Sequence, residues 1–241
     1  MTWPDLPSPA LARMQSEWLA AARSRLLRRV QIATRRSVLE LGAGYGTVAG
    51  ELQRRSGGRA IGLDRRLSAL ANSEWPADVA RVCADAQQLP FADRSFDLVY
   101  CQWTFLWLEN PGPAASEVAR VLQPDGVLVA IEPDFGGLIE YPPALGAREL
   151  WLDALGRAGA DPRIGRRLPG VLSDAGFEVQ VDLSDRLEPP SPRRLEMLEE
   201  LPLSDDERVR LASVRQAEAE LPAQGKVVHL PMFLVTARRR G

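Results

Sequence analysis

Glu40, Gly42, Gly44 and Gly46 stand two residues apart within residues 39–47, the strongest chemical signal in the chain. A glycine-rich turn lets backbone N–H groups approach a ligand closely, because no Cβ stands in the way and positive φ is permitted. Glu40 adds a carboxylate at the head of that turn. Residues 38–41 read as a buried strand and 48–55 as a helix, so strand, turn and helix follow one another as in a nucleotide-binding loop. The dinucleotide form spaces its glycines G-x-G-x-x-G, whereas this loop runs Glu40-x-Gly42-x-Gly44-x-Gly46. That spacing weighs against a nicotinamide dinucleotide. Asp64 ends the next apolar run, about 20 residues after Gly44, where such folds place an acid that holds ribose hydroxyls. It could equally cap a helix predicted from Leu67.

These residues need a sheet to position them. Strand patterns at 37–41, 59–64, 80–84, 96–101 and 127–132 alternate with helical patterns at 47–55, 67–73 and 114–122. The alternation predicts an α/β domain with a doubly wound parallel sheet. Pro124-Asp125-Gly126 is a turn signal that ends a helix and starts a strand. Helical patterns return at 145–156 and 168–174, and late strands are predicted at 177–183 and 227–236. Between those two strands, Pro189-Pro190-Ser191-Pro192 opens a helical insertion over 189–225 that holds a charged amphipathic stretch at 205–220. Before the first strand, residues 11–33 read as one or two helices with Trp18, Leu19, Leu26 and Leu27 as the buried face. We therefore divide the chain into an N-terminal helical cap (1–34) and the α/β domain (35–241), and expect the cap to cover the ligand crevice.

Composition narrows the partners. The 241 residues suffice for one large domain without covalent staples. A net charge of −2 gives no global attraction to nucleic acid or to an acidic membrane surface. The arginines at 23, 25, 28, 29, 35 and 36 make one stretch basic, but without interleaved aromatics they read as a solvated helix face. Cys83, Cys101 and the lone His229 do not supply the usual zinc ligand set, so no metal is expected. No signal core or membrane-length apolar run occurs, and a cytoplasmic location is expected.

The loop resembles the first motif of the class I, Rossmann-like methyltransferases that use S-adenosylmethionine, and the likeness runs over about residues 37–183. Ala84-Asp85-Ala86, Ser95-Phe96-Asp97-Leu98-Val99-Tyr100-Cys101 and Arg120-Val121-Leu122-Gln123-Pro124-Asp125-Gly126 match the family's later segments. The type-11-like small-molecule methyltransferases are the subgroup resembled. The resemblance implies a mostly parallel seven-stranded sheet whose last strand is antiparallel, with N-terminal helices and a helical insertion before that strand. It also implies S-adenosylmethionine as cofactor, held by Glu40, Gly42, Ala43, Gly44, Gly46, Asp64, Arg65, Asp85, Ala86, Cys101 and Gln102.

Methyl transfer is an in-line displacement, so alignment in a dry crevice matters more than a catalytic triad. Trp103 and Phe105 would wall a small acceptor, and Trp107 would pack beneath the following helix. Glu132, Asp134 and Tyr141 are the candidates for orienting the acceptor or removing its proton. Asp134 could instead cap a turn. A nicotinamide oxidoreductase and a non-catalytic cofactor-binding module are the competing readings. The acceptor and the oligomeric state are not specified by these residues.

Overall fold

The computed structural model describes residues 7–72, 74–183, 193–222 and 225–239. Two helices come first, α1 (Pro9–Trp18) and α2 (Ala20–Arg29). The Ser8 side chain accepts from the Leu11 N–H, and Pro9 takes the first helical position, where a missing N–H costs nothing. The sheet strands and their crossovers follow as β1 (Ser37–Leu41), α3 (Ala49–Arg55), β2 (Arg59–Asp64), α4 (Leu67–Leu70), β3 (Ala80–Cys83), β4 (Phe96–Gln102), α5 (Pro111–Val121) and β5 (Leu122–Pro133). Then come β6 (Ile139–Tyr141), α6 (Arg148–Arg157), α7 (Ile164–Asp174), β7 (Phe177–Leu183), α8 (Glu196–Glu200), α9 (Asp205–Glu220), β8 (Val227–His229) and β9 (Met232–Arg239).

The seven-stranded sheet has the order β3-β2-β1-β4-β5-β9-β7. Its pairings are parallel from β3 to β5, while β9 lies antiparallel between β5 and β7. This is the expected doubly wound α/β sheet with an antiparallel last strand. Chain order reverses at β1, which has β2 on one side and β4 on the other, so the crevice falls beyond the carboxyl ends of β1 and β4.

Alternation along each strand feeds two cores. Leu39, Leu41, Val99, Cys101, Leu128 and Ala130 pack with α5, α6, α7 and the α8–α9 insertion. On the other face, Val38, Leu98, Tyr100, Val127 and Val129 pack with Leu26 and Leu27 of α2, with Val30 just after it and with Leu52 of α3. Burying each leucine stabilises the fold by about 1.5–3 kcal/mol. So α2 is part of the sheet's cover, and only α1 of the N-terminal pair reaches the crevice.

Several local expectations change. Trp18 is 48% exposed and not part of the buried face. The predicted strand 227–236 splits at Leu230-Pro231, because proline supplies no N–H to a ladder. Its first piece, β8, pairs with β6 in a separate two-stranded ribbon, and β6 itself was not foreseen. Pro124-Asp125-Gly126 does not interrupt β5; the chain runs on, with the register jumping from Phe96↔Leu122 to Leu98↔Val127. The Pro189–Pro192 opening of the insertion lies outside the described residues. Among the described residues, no helix is long and apolar enough to cross a membrane.

Candidate active site

At the end of β1 the chain turns through Gly42, Gly44 and Gly46, with φ of 71°, 52° and 75°. Positive φ at three alternate residues is inexpensive only for glycine. The turn is tied to β2 by the Ala43 N–H to the Leu63 carbonyl at 2.9 Å. Asp64 completes the tie, since Oδ2 accepts from the Gly44 N–H and Oδ1 from the Arg66 N–H, each at 2.8 Å. The N-cap of α4 is Arg66, which makes no side-chain cap bond, so the capping role considered for Asp64 is not the one it plays. Each carboxylate oxygen can accept more than one hydrogen bond, so Asp64 keeps capacity for ligand hydroxyls. Beside it, the Arg66 guanidinium lies 3.5 Å from Asp64 Oδ1 and over the Tyr45 ring.

The cleft above the turn is lined by Glu40, Gly42, Ala43, Gly44, Asp64, Arg65, Asp85, Ala86, Gln102 and Trp103 of the sequence-derived set. Asp85, Ala84 and Ala86 stand at the end of β3, as an adenine-side wall would require. Glu40 is buried, at 4% exposure, and its Oε2 has no hydrogen-bond partner. Burial raises its carboxyl to about 8, opposed by Arg23 and reinforced by Asp64 and Glu51.

Six residues from the sequence stand elsewhere. Gly46 faces away from the cleft, and a Cβ there would meet Trp75 and Pro76. Cys101 is fully buried on the core face of β4, where desolvation raises its thiol well above the ordinary value. Phe105 is fully buried as well, and Trp107 and Leu108 line the cleft in its place. The reversal begins at Trp103, whose φ of 54° starts the turn that carries 105–107. Trp103 packs between Trp18 (6.5 Å between centroids) and Phe135 (5.9 Å), and its indole Nε1 has no partner.

Glu132 does not face the cleft either. It is fully buried, and its carboxylate accepts from the N–H groups of Thr104 (2.8 Å), Phe105 (2.9 Å) and Leu106 (3.3 Å). Desolvation raises it to about 7, partly offset by those three bonds. It therefore shapes the 104–107 wall from behind and does not line the cleft. Asp134 is buried and ion-paired with Arg166, away from the cleft. Tyr141 is 63% exposed on the β6–β8 ribbon.

The far wall of the cleft has no signal in the local sequence. Ala12 and Gln15 of α1 and Met197 of α8 supply that wall, and Gln15 Nε2 sits 2.8 Å from Met197 Sδ. The Ser8 N–H donates to Glu200 Oε2 at 2.9 Å, so α1 and α8 meet beside the ligand crevice. No local pattern announces contacts between residues so distant in the chain. Arg23 did carry a signal, because positions 23, 26, 27 and 30 share one helical stripe. It is buried at 3% exposure, whereas Arg25, Arg28 and Arg29 are exposed as expected of a solvated face.

Residues 39–130 match the model of a family described as a methyltransferase domain. The chain is 30% identical over 171 residues to an arginine-hydroxylase, NDUFAF5, of Mus musculus, covering 68% of this chain and 48% of that protein. It is 36% identical over 110 residues to a demethylmenaquinone methyltransferase of Corynebacterium urealyticum, covering 46% and 47%. The chain thus spans about half the length of these curated relatives. Among solved structures, it is similar to phosphoethanolamine N-methyltransferase 2 of Haemonchus contortus in complex with phosphomonomethylethanolamine and S-adenosylhomocysteine. There the TM-score is 0.61 at 17% identity, covering 96% of this chain and 58% of that one.

Proposed function

We propose, from the match of residues 39–130 to the model of a methyltransferase domain and from the class I, Rossmann-like order of the sheet, that this chain is an S-adenosylmethionine-dependent enzyme acting on a small-molecule acceptor. The observation that carries the reading is the cleft itself. A buried, partnerless carboxylate oxygen on Glu40, a glycine turn pinned by Asp64 and a wall at Asp85 and Ala86 line one continuous space. At Gly44 a Cβ would fill that space, with only Arg66 Nη2 nearby at 3.5 Å. These residues fit an adenosine ligand that bears a cationic amino-acid tail.

When bound, the cofactor supplies an electrophilic methyl group. Asp64 would hold the ribose hydroxyls, Asp85 and Ala86 the adenine, and Glu40 with Gln102 the amino-acid end. Trp103, Trp107 and Leu108 give the acceptor side an apolar wall, and α1 and α8 would cover it through Ala12, Gln15 and Met197. Glu132 and Asp134 are engaged elsewhere, so the acceptor would bring its own nucleophilic form or lose its proton to water. A small, enclosed acceptor is supported by this cover and by the near-neutral charge.

Titration calorimetry with S-adenosylmethionine, S-adenosylhomocysteine and NADH tests the cofactor, and a metabolite panel in the presence of the first then tests the acceptor. Binding of the two adenosyl ligands in the micromolar range, about −8 kcal/mol, is expected. NADH binding without S-adenosylmethionine binding would overturn the reading.

A further inference from the structure

Among Arg23, Arg25, Arg28 and Arg29, Arg23 alone is buried, and its guanidinium joins three elements. Nε donates to Glu51 Oε2 of α3 at 2.8 Å. Nη1 donates to the Ser16 carbonyl of α1 at 2.9 Å and to Gln102 Oε1, at the end of β4, at 3.2 Å. Gln102 Oε1 takes a second bond from the Tyr100 hydroxyl at 2.8 Å. Arginine has donors and no acceptor, so the amide oxygen and not the nitrogen must face it.

Two donors on one oxygen fix the plane of the Gln102 amide. Its nitrogen is then left for the cleft that Gln102 lines. Glu40 brings its partnerless Oε2 to the same cleft, and the Arg23 charge acts on Glu40 as well. That end of the cleft offers an amide N–H donor and the Glu40 carboxyl, which a bound ammonium would hold ionised as its acceptor, the complement of an amino-acid zwitterion.

We propose that Arg23 is a positioning residue for the amino-acid end of the cofactor, orienting the Gln102 amide towards the ligand carboxylate while Glu40 takes the ammonium. The inference rests on the methyltransferase reading and extends it to a residue of the N-terminal helices. Arg23 acts through Gln102 and Glu40 and does not itself touch the ligand, since its bonds go to protein groups. The nucleoside half of the site, at Asp64 and Asp85, is independent of it.

That independence sets the test, which is calorimetry on the full chain with two ligands. S-adenosylhomocysteine carries the amino-acid group, and 5′-methylthioadenosine has the same nucleoside and thioether without it. Arg23→Met is expected to weaken S-adenosylhomocysteine about tenfold and to leave methylthioadenosine within about twofold. Tyr100→Phe removes one donor from Gln102 with no change of shape and keeps the question open to decision if Arg23→Met fails to fold. It is expected to weaken S-adenosylhomocysteine about threefold and methylthioadenosine not at all.

Equal losses for both ligands would make the network a mere support of the fold and overturn the proposal. So would unchanged S-adenosylhomocysteine affinity in both variants. If the wild-type protein binds methylthioadenosine as tightly as S-adenosylhomocysteine, the positioning proposal fails while the nucleoside site stands. Wild-type protein that binds neither ligand overturns the functional reading, and this inference with it.

Discussion

Glu132→Gln should change the stability of the protein by an amount that depends on pH. The wild-type carboxyl sits at about 7 because burial outweighs its three backbone bonds, against 4.5 for the unperturbed group. Below about pH 4.5 both folded and unfolded chains hold the proton, and the group costs nothing. Between 4.5 and 7 the folded chain keeps a proton that the unfolded chain releases, so stability falls as pH rises. Above 7 both are ionised and the full cost is reached, about 3 kcal/mol at about 1.4 kcal/mol per unit. Glutamine has no such titration. It keeps an oxygen for Thr104 and Phe105 but turns an N–H2 towards the Leu106 N–H, a fixed loss of about 1–3 kcal/mol. The variant should therefore be less stable than wild type at pH 5 and should match or exceed it at pH 8. Urea unfolding of both proteins at the two pH values measures this directly, and Glu40 cancels in the comparison. A wild-type minus variant difference that moves by less than about 1 kcal/mol between them would refute the burial argument.

Four other substitutions follow from the same geometry. Gly44→Val should abolish cofactor binding by calorimetry while unfolding cooperatively, because the added Cβ meets only Arg66 but fills the cleft and strains φ at 52°. Gly42→Ala should damage the fold as well, since its Cβ would lie 2.6 Å from Thr104 Cγ2, and Thr104 is anchored to the Leu41 carbonyl; a thermal midpoint equal to that of Gly44→Val would contradict this. Asp64→Ala removes the tie to Gly44 and the ribose acceptors together, and should weaken S-adenosylhomocysteine by about 1.5–3 kcal/mol or more. Arg194→Met strands Glu140 and Glu218 in a nearly buried ion cluster, and denaturant unfolding should show a loss of about 3–5 kcal/mol with cofactor affinity little changed.

The nucleotide turn and the parallel strands were legible because their signals are local. Glycine spacing, a carboxylate at a strand end and two-residue alternation are each written in a few adjacent residues, and β1 to β4 formed close to where they were expected, while β5 begins earlier, at Leu122. Trp107 replaced Phe105 at the cleft for a reason hydropathy does not record. The left-handed backbone of Trp103 rotates the next turn, so the face each aromatic takes cannot be counted from the strand. Glu132 looked reactive because it follows β5, but its direction is set by three N–H groups from another segment. The contribution of α1 and α8 to the cleft depends on contacts such as Ser8 with Glu200, which no window of sequence contains. Arg23 was readable in part, since an arginine on an apolar stripe needs partners, though their identity was not.

The place of β9 in the sheet has a bearing on how the protein comes to be made. It is synthesised after every other strand of its sheet, yet it inserts between β5 and β7, with Leu234, Val235 and Ala237 fully buried. Until residues 232–239 leave the ribosome, β5 presents a long apolar edge with its ladder unfilled, and β7 has no neighbour to pair with. Such an open edge invites pairing with another nascent chain. Loss of these eight residues should accordingly yield insoluble protein and not a slightly weaker enzyme.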